Sequence, residues 1–429
     1  MENIFKKRID AFAQKALPNS VLVLQGAKRV MRNHDVEYPF YQNSHFYYLT
    51  GWDAPDAYLI VQIDSKGCAC SQLFVEPNNP EAESWQGKRL SPQEILAMGV
   101  FDSAFPNTTF NEKLKQAISD AHHVYYPFVD LNQTVDLINA TTRLLAAGRV
   151  RKNNPDHIDA NILLGIMRLY KSEHEIALMQ QAADISSKAH ISVMQMAKQG
   201  LYEYQLAAQF KHYCEFNGCQ HLAYDSIVAS GKNACVLHYV TCQDQIHSDD
   251  LVLIDAGGAY KGYASDITRT FPVSGKFNGA QSDIYTCVLN TQKAVIDAIK
   301  PGVLIHELQA LAQKKLFDGL VDLQILKRND FKQITNYYFH GVSHWLGLDV
   351  HDQCPYLDEH KKPIKLAPGM VITVEPGLYF GRQLETIPHD YHNIGIRIED
   401  DVLITDKGST VLSKACPKEL DEIEGIMAI

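Results

Sequence analysis

The chain opens with apolar residues Ile4, Phe5, Ile9 and Phe12 set among charges, a spacing that predicts an amphipathic helix. Beyond it, residues 20–24 (SVLVL), 57–63 and 72–75 are apolar runs of strand length, while SPQEILAMG from Ser91 and the stretch 131–145 carry helical spacing. Short strands interleaved with helices predict an α/β domain with its own sheet over residues 1–167.

From residue 168 the texture changes. Ser172 and Glu175 stand at capping-box spacing ahead of a long helical period that Gly200 ends, predicting a helix over 172–199, with a second over 203–217. Strands follow at 225–229, 250–256 and 264–271, then helices at 279–299 and 303–318, then strands at 370–375 and 394–404. Helix pair, strands, helix pair, strands is a duplicated α+β rhythm. It predicts that residues 168–429 consist of two related halves, although no residue-level repeat accompanies it.

Composition narrows the partners. With 46% hydrophobic and 21% charged residues the 429-residue chain reads as an ordinary globular protein, and a net charge of −10 argues against binding nucleic acid through a basic surface. No apolar run approaches the ~18 residues that cross a bilayer, so no membrane partner is expected. The opening helix lacks the apolar core of a signal peptide, which predicts a cytoplasmic protein. Nine cysteines without framework spacing suit reduced thiols. Cys214, Cys219, Cys235 and Cys242 fit no familiar zinc knuckle, and neither a G-x-S-x-G elbow nor a phosphate-binding glycine loop is present.

Chemistry-bearing residues gather in the second region. LVLIDAGG puts Asp255 after an apolar strand and before a glycine pair, and Asp266 opens DITRTF, so a hairpin with a glycine-rich turn would carry both carboxylates to one place. HGVSHWLGLDVHD holds His340, His344 and His351 on a segment that is neither clean helix nor clean strand. VITVEPGLYF ends a strand at Glu375 because Pro376 cannot continue a central ladder. In GIRIEDD, two-residue alternation sets Arg397 and Glu399 opposite the isoleucines. Any one of these, seen alone, reads as a strand-end aspartate, a core histidine or a solvated strand face. Taken together, Asp255, Asp266, His344, Glu375 and Glu399 would offer four carboxylates and one imidazole; the four negative charges would repel without a counterion, and two divalent cations would balance them. An oxygen-rich set with one nitrogen suits Mn²⁺ and leaves Co²⁺, Fe²⁺ and Zn²⁺ open.

LVLIDAGGAYKGYASDITRTFPVSGKF, HGVSHWLGLDVHD, TVEPGLY and GIRIEDD resemble the metal-ligand motifs of the pita-bread metallopeptidases, in that family's order. Within the family the chain is similar to the aminopeptidase P type, whose N-terminal domain RNHDVEYPFYQNSHFYYLTGW also resembles. The resemblance implies an N-terminal domain of that type over 1–167 and a catalytic pita-bread domain with pseudo-twofold halves over 168–429. It implies a dinuclear site ligated by Asp255, Asp266, His344, Glu375 and Glu399, with Asp266 and Glu399 bridging. By the same resemblance His351 and His238 position substrate and stabilise the tetrahedral intermediate, His340 supports them and Arg397 is a pocket residue. More loosely, Asp35 and Arg168 match polar residues around the cleft, and Trp85 a tryptophan lent by a neighbouring subunit.

The activity so implied is release of the first residue from peptides with proline second, in a homotetramer or dimer. A metal-bridging hydroxide would attack the scissile carbonyl while Glu375 shuttles the proton to the leaving nitrogen. A dipeptidase restricted to Xaa-Pro shares these ligands and is the alternative. A non-catalytic peptide-binding module of the same fold is the remote one, disfavoured because all five ligand positions are filled.

Overall fold

The computed structural model describes residues 3–129, 134–146, 155–381 and 387–428. The chain divides into two compact units, Met1–Met167 and Arg168–Ile429.

The first unit is built on a six-stranded sheet in the order Ser103–Pro106, Ala69–Val75, Tyr58–Ile63, Ser20–Gln25, His123–Tyr126, Asp156–Asp159. Ser20–Gln25 lies in its interior, antiparallel to Tyr58–Ile63 and parallel to His123–Tyr126, and all of its residues are buried, which is why its sequence is a continuous apolar run. The helix Ile4–Lys15 buries Ile9 and Phe12, and Phe110–Asp120 packs Phe110, Leu114 and Ile118 against Val21, Val23 and Val124. Of the helix expected at 131–145, Thr134–Ala146 is present and residues 131–133 lie outside the described ones.

The second unit repeats one plan. A helix pair, Glu173–Met196 and Glu203–Phe216, precedes a three-stranded antiparallel sheet of Ile227–Ser230, Leu251–Asp255 and Thr268–Pro272. A second pair, Gly279–Ala298 and Ile305–Asp322, precedes a sheet of Val371–Val374, Asp400–Thr405 and Gly408–Val411. The two sheets meet where Thr268 bridges Glu399, with Glu399 N–H donating to the Thr268 carbonyl at 3.1 Å. One apolar core runs beneath both, with Phe210, Ile254, Phe271, Leu316, Trp345, Ile372 and Val402 among its members. No helix among the described residues is long and apolar enough to cross a membrane.

Two expected strands are interrupted. The run 264–271 is divided between Tyr263–Ala264 and Thr268–Pro272, and the run 394–404 between Gly395–Arg397 and Asp400–Thr405. The simple glycine-turn hairpin expected between Asp255 and Asp266 is also corrected. Gly258–Tyr260 and Tyr263–Ala264 form their own hairpin in a different sheet, inserted between the paired strands Leu251–Asp255 and Thr268–Pro272. Each interruption falls beside a carboxylate, where the backbone leaves one ladder for another.

Candidate active site

Asp255 closes its strand, and the chain then passes Gly257, where a Cβ would stand 1.7 Å from the Ser265 carbonyl oxygen. Only glycine permits that approach, which draws the outgoing and returning segments together and sets Asp266 beside Asp255. The Tyr224 hydroxyl ties them, reaching Asp255 Oδ1 at 2.5 Å and also Asp266 Oδ1. Asp266 is fixed from behind by Asp401, which accepts from the Asp266 N–H at 3.0 Å and from Ser265 Oγ at 2.7 Å.

Two residues come from the second sheet. Glu375 follows Val371–Val374, its N–H donating to the Val342 carbonyl at 2.9 Å, and Glu399 precedes Asp400–Thr405 and accepts from Thr268 Oγ1 at 2.6 Å. His344 is oriented by its neighbour. Nδ1 faces the Trp345 carbonyl at 3.1 Å, which turns Nε2 toward Asp266 Oδ2 at 3.4 Å and Glu375 Oε1 at 3.6 Å. A backbone acceptor on one ring nitrogen leaves the other free to ligate, the arrangement common at metal-bound histidines.

Ligand atoms of Asp266, His344 and Glu399 lie within 4.8 Å of one another, and Asp255 and Glu375 line the same cavity. The electrostatics fit a cation. Burial and neighbouring carboxylates hold the Glu399 carboxyl well above its ordinary range, and burial pushes Glu375 up to about 7. Burial opposes charge on His344, yet its hydrogen bond to Asp266 and the charges of Asp266 and Glu375 push it up to about 9. Asp266 goes the other way: burial works against ionisation, but His344 and Tyr224 hold it below the usual carboxylate range. So much negative charge, met by one imidazole and one guanidinium, is a donor set that divalent cations would satisfy.

The remaining sequence-derived residues divide by location. His238, His340, His351 and Arg397 line the same cavity of about 420 Å³, and His351 meets His344 edge to face with ring centres 4.3 Å apart. Arg397 donates from Nη2 to Asp255 Oδ2 at 2.6 Å, so the charged strand face meets its partner inside the protein. Its Nη1 donates to the Tyr379 hydroxyl at 2.9 Å, and that hydroxyl gives its proton to His340 Nε2 at 2.9 Å. Burial pushes His340 down to about 3 and keeps it neutral. Arg168 is buried and pairs with Asp352 and, at 2.7 Å, with Asp349, bracing the segment that carries His351. Asp35 and Trp85 belong to the first unit, Asp35 in an exposed turn and Trp85 87% exposed on the helix Pro80–Gln86. Ile227, Leu237, Val240 and Val350 give the cavity an apolar side.

Sequence reasoning missed Tyr224, Tyr379, Thr268 and Asp401. The one signal available for Asp401 was a third acid directly after Glu399 and Asp400. Nothing in the pattern around Tyr224 marks it, since its role depends on two aspartates 31 and 42 residues away.

The profile of Metallopeptidase family M24 matches residues 177–406, and that of the Aminopeptidase P, N-terminal domain, matches residues 5–125. The Xaa-Pro aminopeptidase of Escherichia coli (strain K12) is 37% identical over 99% of this chain and 97% of its own. The solved structure of proline aminopeptidase P II from Yersinia pestis superposes with a TM-score of 0.94 at 37% identity, covering 100% of this chain and 99% of that one. A Zn-substituted E. coli aminopeptidase P in complex with product also gives 0.94 at 37% identity, covering 100% and 98%.

Proposed function

The chain belongs to metallopeptidase family M24, and from that premise we propose that it removes the first residue from peptides with proline in second position, at a dinuclear centre held by Asp255, Asp266, His344, Glu375 and Glu399. It is a hydrolase, a metal-dependent exopeptidase with the pita-bread fold. The finer reading rests on one observation above the rest: the five candidate ligand residues converge from both halves of the unit on one cavity. Residues 168–429 are the catalytic domain and residues 1–167 the aminopeptidase P-type domain.

Asp255, Asp266, His344, Glu375 and Glu399 would hold the cations, both aspartates serving one and His344 the other with Asp266 and Glu399 shared, and four carboxylates with one imidazole favour Mn²⁺. When bound, the cations cancel the carboxylate charge, polarise the scissile carbonyl and acidify the attacking water. Glu375 Oε takes the proton that water gives up and passes it to the proline nitrogen; a carboxyl lying near 7 is suited to both transfers. An Xaa-Pro bond is a tertiary amide without an N–H, so a site that gripped that amide would fail on it. Here the proline ring is offered the apolar side of the cavity, with His238 and His351 positioning the carbonyl. His340 and Arg397 keep their orientation through Tyr379. Arg168 acts through the His351 segment, Asp35 is a polar residue around the cleft, and in a homotetramer or dimer the exposed Trp85 of one subunit is lent to the cleft of another. All nine cysteines are free, which suits a cytoplasmic setting.

The test is hydrolysis with added Mn²⁺ of an Xaa-Pro dipeptide, an Xaa-Pro-Xaa tripeptide and longer peptides, beside Glu375→Ala and a chelator. Release of the first residue from the longer peptides, abolished by both controls, is the expected result. Cleavage of the dipeptide alone would make the enzyme an Xaa-Pro dipeptidase, and no cleavage with any divalent metal would end the catalytic reading.

A further inference from the structure

Glu203 opens the helix Glu203–Phe216 and is fully buried, yet it lies outside the ligand cluster and takes no part in the reaction as proposed. Its carboxylate accepts five hydrogen bonds. Oε1 receives the Ser230 N–H at 2.7 Å, Ser230 Oγ at 2.8 Å and Asn233 Nδ2 at 3.1 Å; Oε2 receives the Tyr239 hydroxyl at 2.8 Å and the Asp244 N–H at 3.0 Å. All five donors belong to one stretch, residues 230–244, which leaves the strand Ile227–Ser230 and returns toward Leu251–Asp255.

That stretch carries one wall of the catalytic cavity. Leu237, His238 and Val240 line it, and they flank Tyr239, the residue bonded to Glu203. The wall packs through the Tyr239 ring, which lies against Ile227, Ala229, Ala234 and Leu253, whereas Val236 and Val240 are more than half exposed and His238 is exposed. Regular structure here is confined to the short 3-10 turn Gly231–Cys235. Its far end is sewn down by backbone bonds, Glu203 N–H to the Asp244 carbonyl at 3.1 Å and Ile246 N–H to the Leu201 carbonyl at 2.8 Å. Between those seams and Ser230, Asn233 and the Tyr239 hydroxyl reach Glu203, Tyr239 from among the residues that line the cavity.

A buried carboxylate left without its donors is costly, so the segment and Glu203 hold each other in one arrangement. We propose that Glu203 is a positioning residue for substrate: it sets, through Tyr239, the placement of His238 and of the apolar wall Leu237–Val240 that receives the proline side of the scissile bond. The inference rests on the functional reading above, in which His238 touches substrate.

The test is a double-mutant cycle on the full-length, Mn²⁺-loaded enzyme with an Xaa-Pro-Xaa peptide. Tyr239→Phe removes one hydroxyl at a half-buried position and is expected to lower kcat/KM about tenfold, while melting temperature and bound Mn²⁺ stay unchanged. Glu203→Gln, which turns an acceptor into a donor against the same partners, is expected to lower it about a hundredfold, the order of loss for a catalytic group displaced by ~1 Å. In a His238→Ala background, Tyr239→Phe is expected to change kcat/KM by less than about twofold, because the group being positioned is gone. Equal losses in both backgrounds, or no loss in the wild-type background, would overturn the proposal. Should Glu203→Gln fail to fold, the Tyr239 cycle still decides. Wild-type enzyme that cleaves no Xaa-Pro peptide would instead sink the functional reading, an outcome distinct from an active enzyme with an additive cycle.

Discussion

The two halves of the second unit solve one geometrical problem twice and fill it with different chemistry. In each, an antiparallel strand pair is interrupted by an inserted hairpin, and a carboxylate stands at each break: Asp255 and Asp266 around Gly258–Tyr260 and Tyr263–Ala264, Glu375 and Glu399 around Gly377–Tyr379 and Gly395–Arg397. Each also places a glycine two residues after its first acid. A Cβ on Gly257 would strike the Ser265 carbonyl oxygen, and one on Gly377 would come within 2.9 Å of the Ile396 carbonyl oxygen. The acids then part company. The first half's short aspartates are held by a phenol and a guanidinium; burial holds Asp255 above the carboxylate range, while Asp266 lies below it. The second half's longer glutamates are held by threonine hydroxyls, and both are raised, Glu375 to about 7. The same scaffold therefore offers fixed charge from Asp266 on one side and exchangeable protons on the other.

That division can be broken most directly by exchanging acid for amide on each side. Glu375→Gln is expected to lower kcat by about 10³-fold, the scale of general acid–base catalysis, and excess Mn²⁺ should not restore it. Asp255→Asn should also lose activity, but through weaker metal retention, so excess Mn²⁺ should recover a large part of it. Steady-state kinetics against metal concentration, with bound metal measured directly, reads both. Recovery of Glu375→Gln by metal would show that the two halves are not divided by role.

A second test concerns the joint between the halves. Arg269, on a first-half strand, donates to Asp400 Oδ1 at 2.7 Å, and Lys418 reaches Asp400 Oδ2 at 2.6 Å, with Asp400 fully buried. Removing one partner of such a pair costs about 3–5 kcal/mol, so Asp400→Asn should lower unfolding stability by that order in denaturant titration at neutral pH. The pH dependence has a definite sign. Burial opposes ionisation, but Arg269 and Lys418 outweigh it and hold Asp400 below the ordinary carboxylate range. Its stabilisation is therefore complete above the unfolded value of ~4 and is lost as pH falls through the folded one. Wild type should lose stability in acid more steeply than Asp400→Asn; parallel curves would remove Asp400 as the joint.

Metal binding sharpens the same comparison more mildly. Glu375 near 7 and His344 near 9 hold protons that a cation must displace, so affinity should rise with pH, by about tenfold per unit for each proton released. Calorimetry of Mn²⁺ binding at pH 6 and 8, in buffers of different ionisation enthalpy, counts those protons. In Glu375→Gln the count should fall; an unchanged count would remove Glu375 as the proton-holding acid.

What could be read from the chain follows from how local each feature is. The strand at 20–24 and the helix beginning after Ser172 were legible because a buried run and a capping box are written in neighbouring residues. The duplication was legible as the order of elements, but the inserted hairpins were not, since a switch from one ladder to another leaves the apolar alternation intact. Of the site, the five residues proposed as ligands could be named from motif and resemblance, and the fold brings them to one cavity. Tyr224, Tyr379, Thr268 and Glu203 could not, because each acts on groups brought near only by the fold.

The smallest contrast lies where each half begins. The helix Glu173–Met196 is capped by Ser172 with Glu175, and the helix Gly279–Ala298 by Asn278 with Gln281, both reciprocal boxes. Each box residue also reaches outward: Glu175 accepts from the Tyr263 hydroxyl at 3.0 Å, and Gln281 Nε2 donates to the Asp249 carbonyl at 3.0 Å. Replacing either cap by alanine should cost about 1 kcal/mol, a few degrees in melting temperature. Ser172→Ala should cost the more. Its hydroxyl donates to Glu175 Oε2 at 2.7 Å besides accepting from the Glu175 N–H, so its loss removes a bond to a buried carboxylate. Asn278 accepts from the Gln281 N–H at 2.9 Å in a box whose acid is replaced by a neutral amide. Equal shifts would mean that the charge in the first cap adds nothing, and that the two halves begin alike in energy as well as in form.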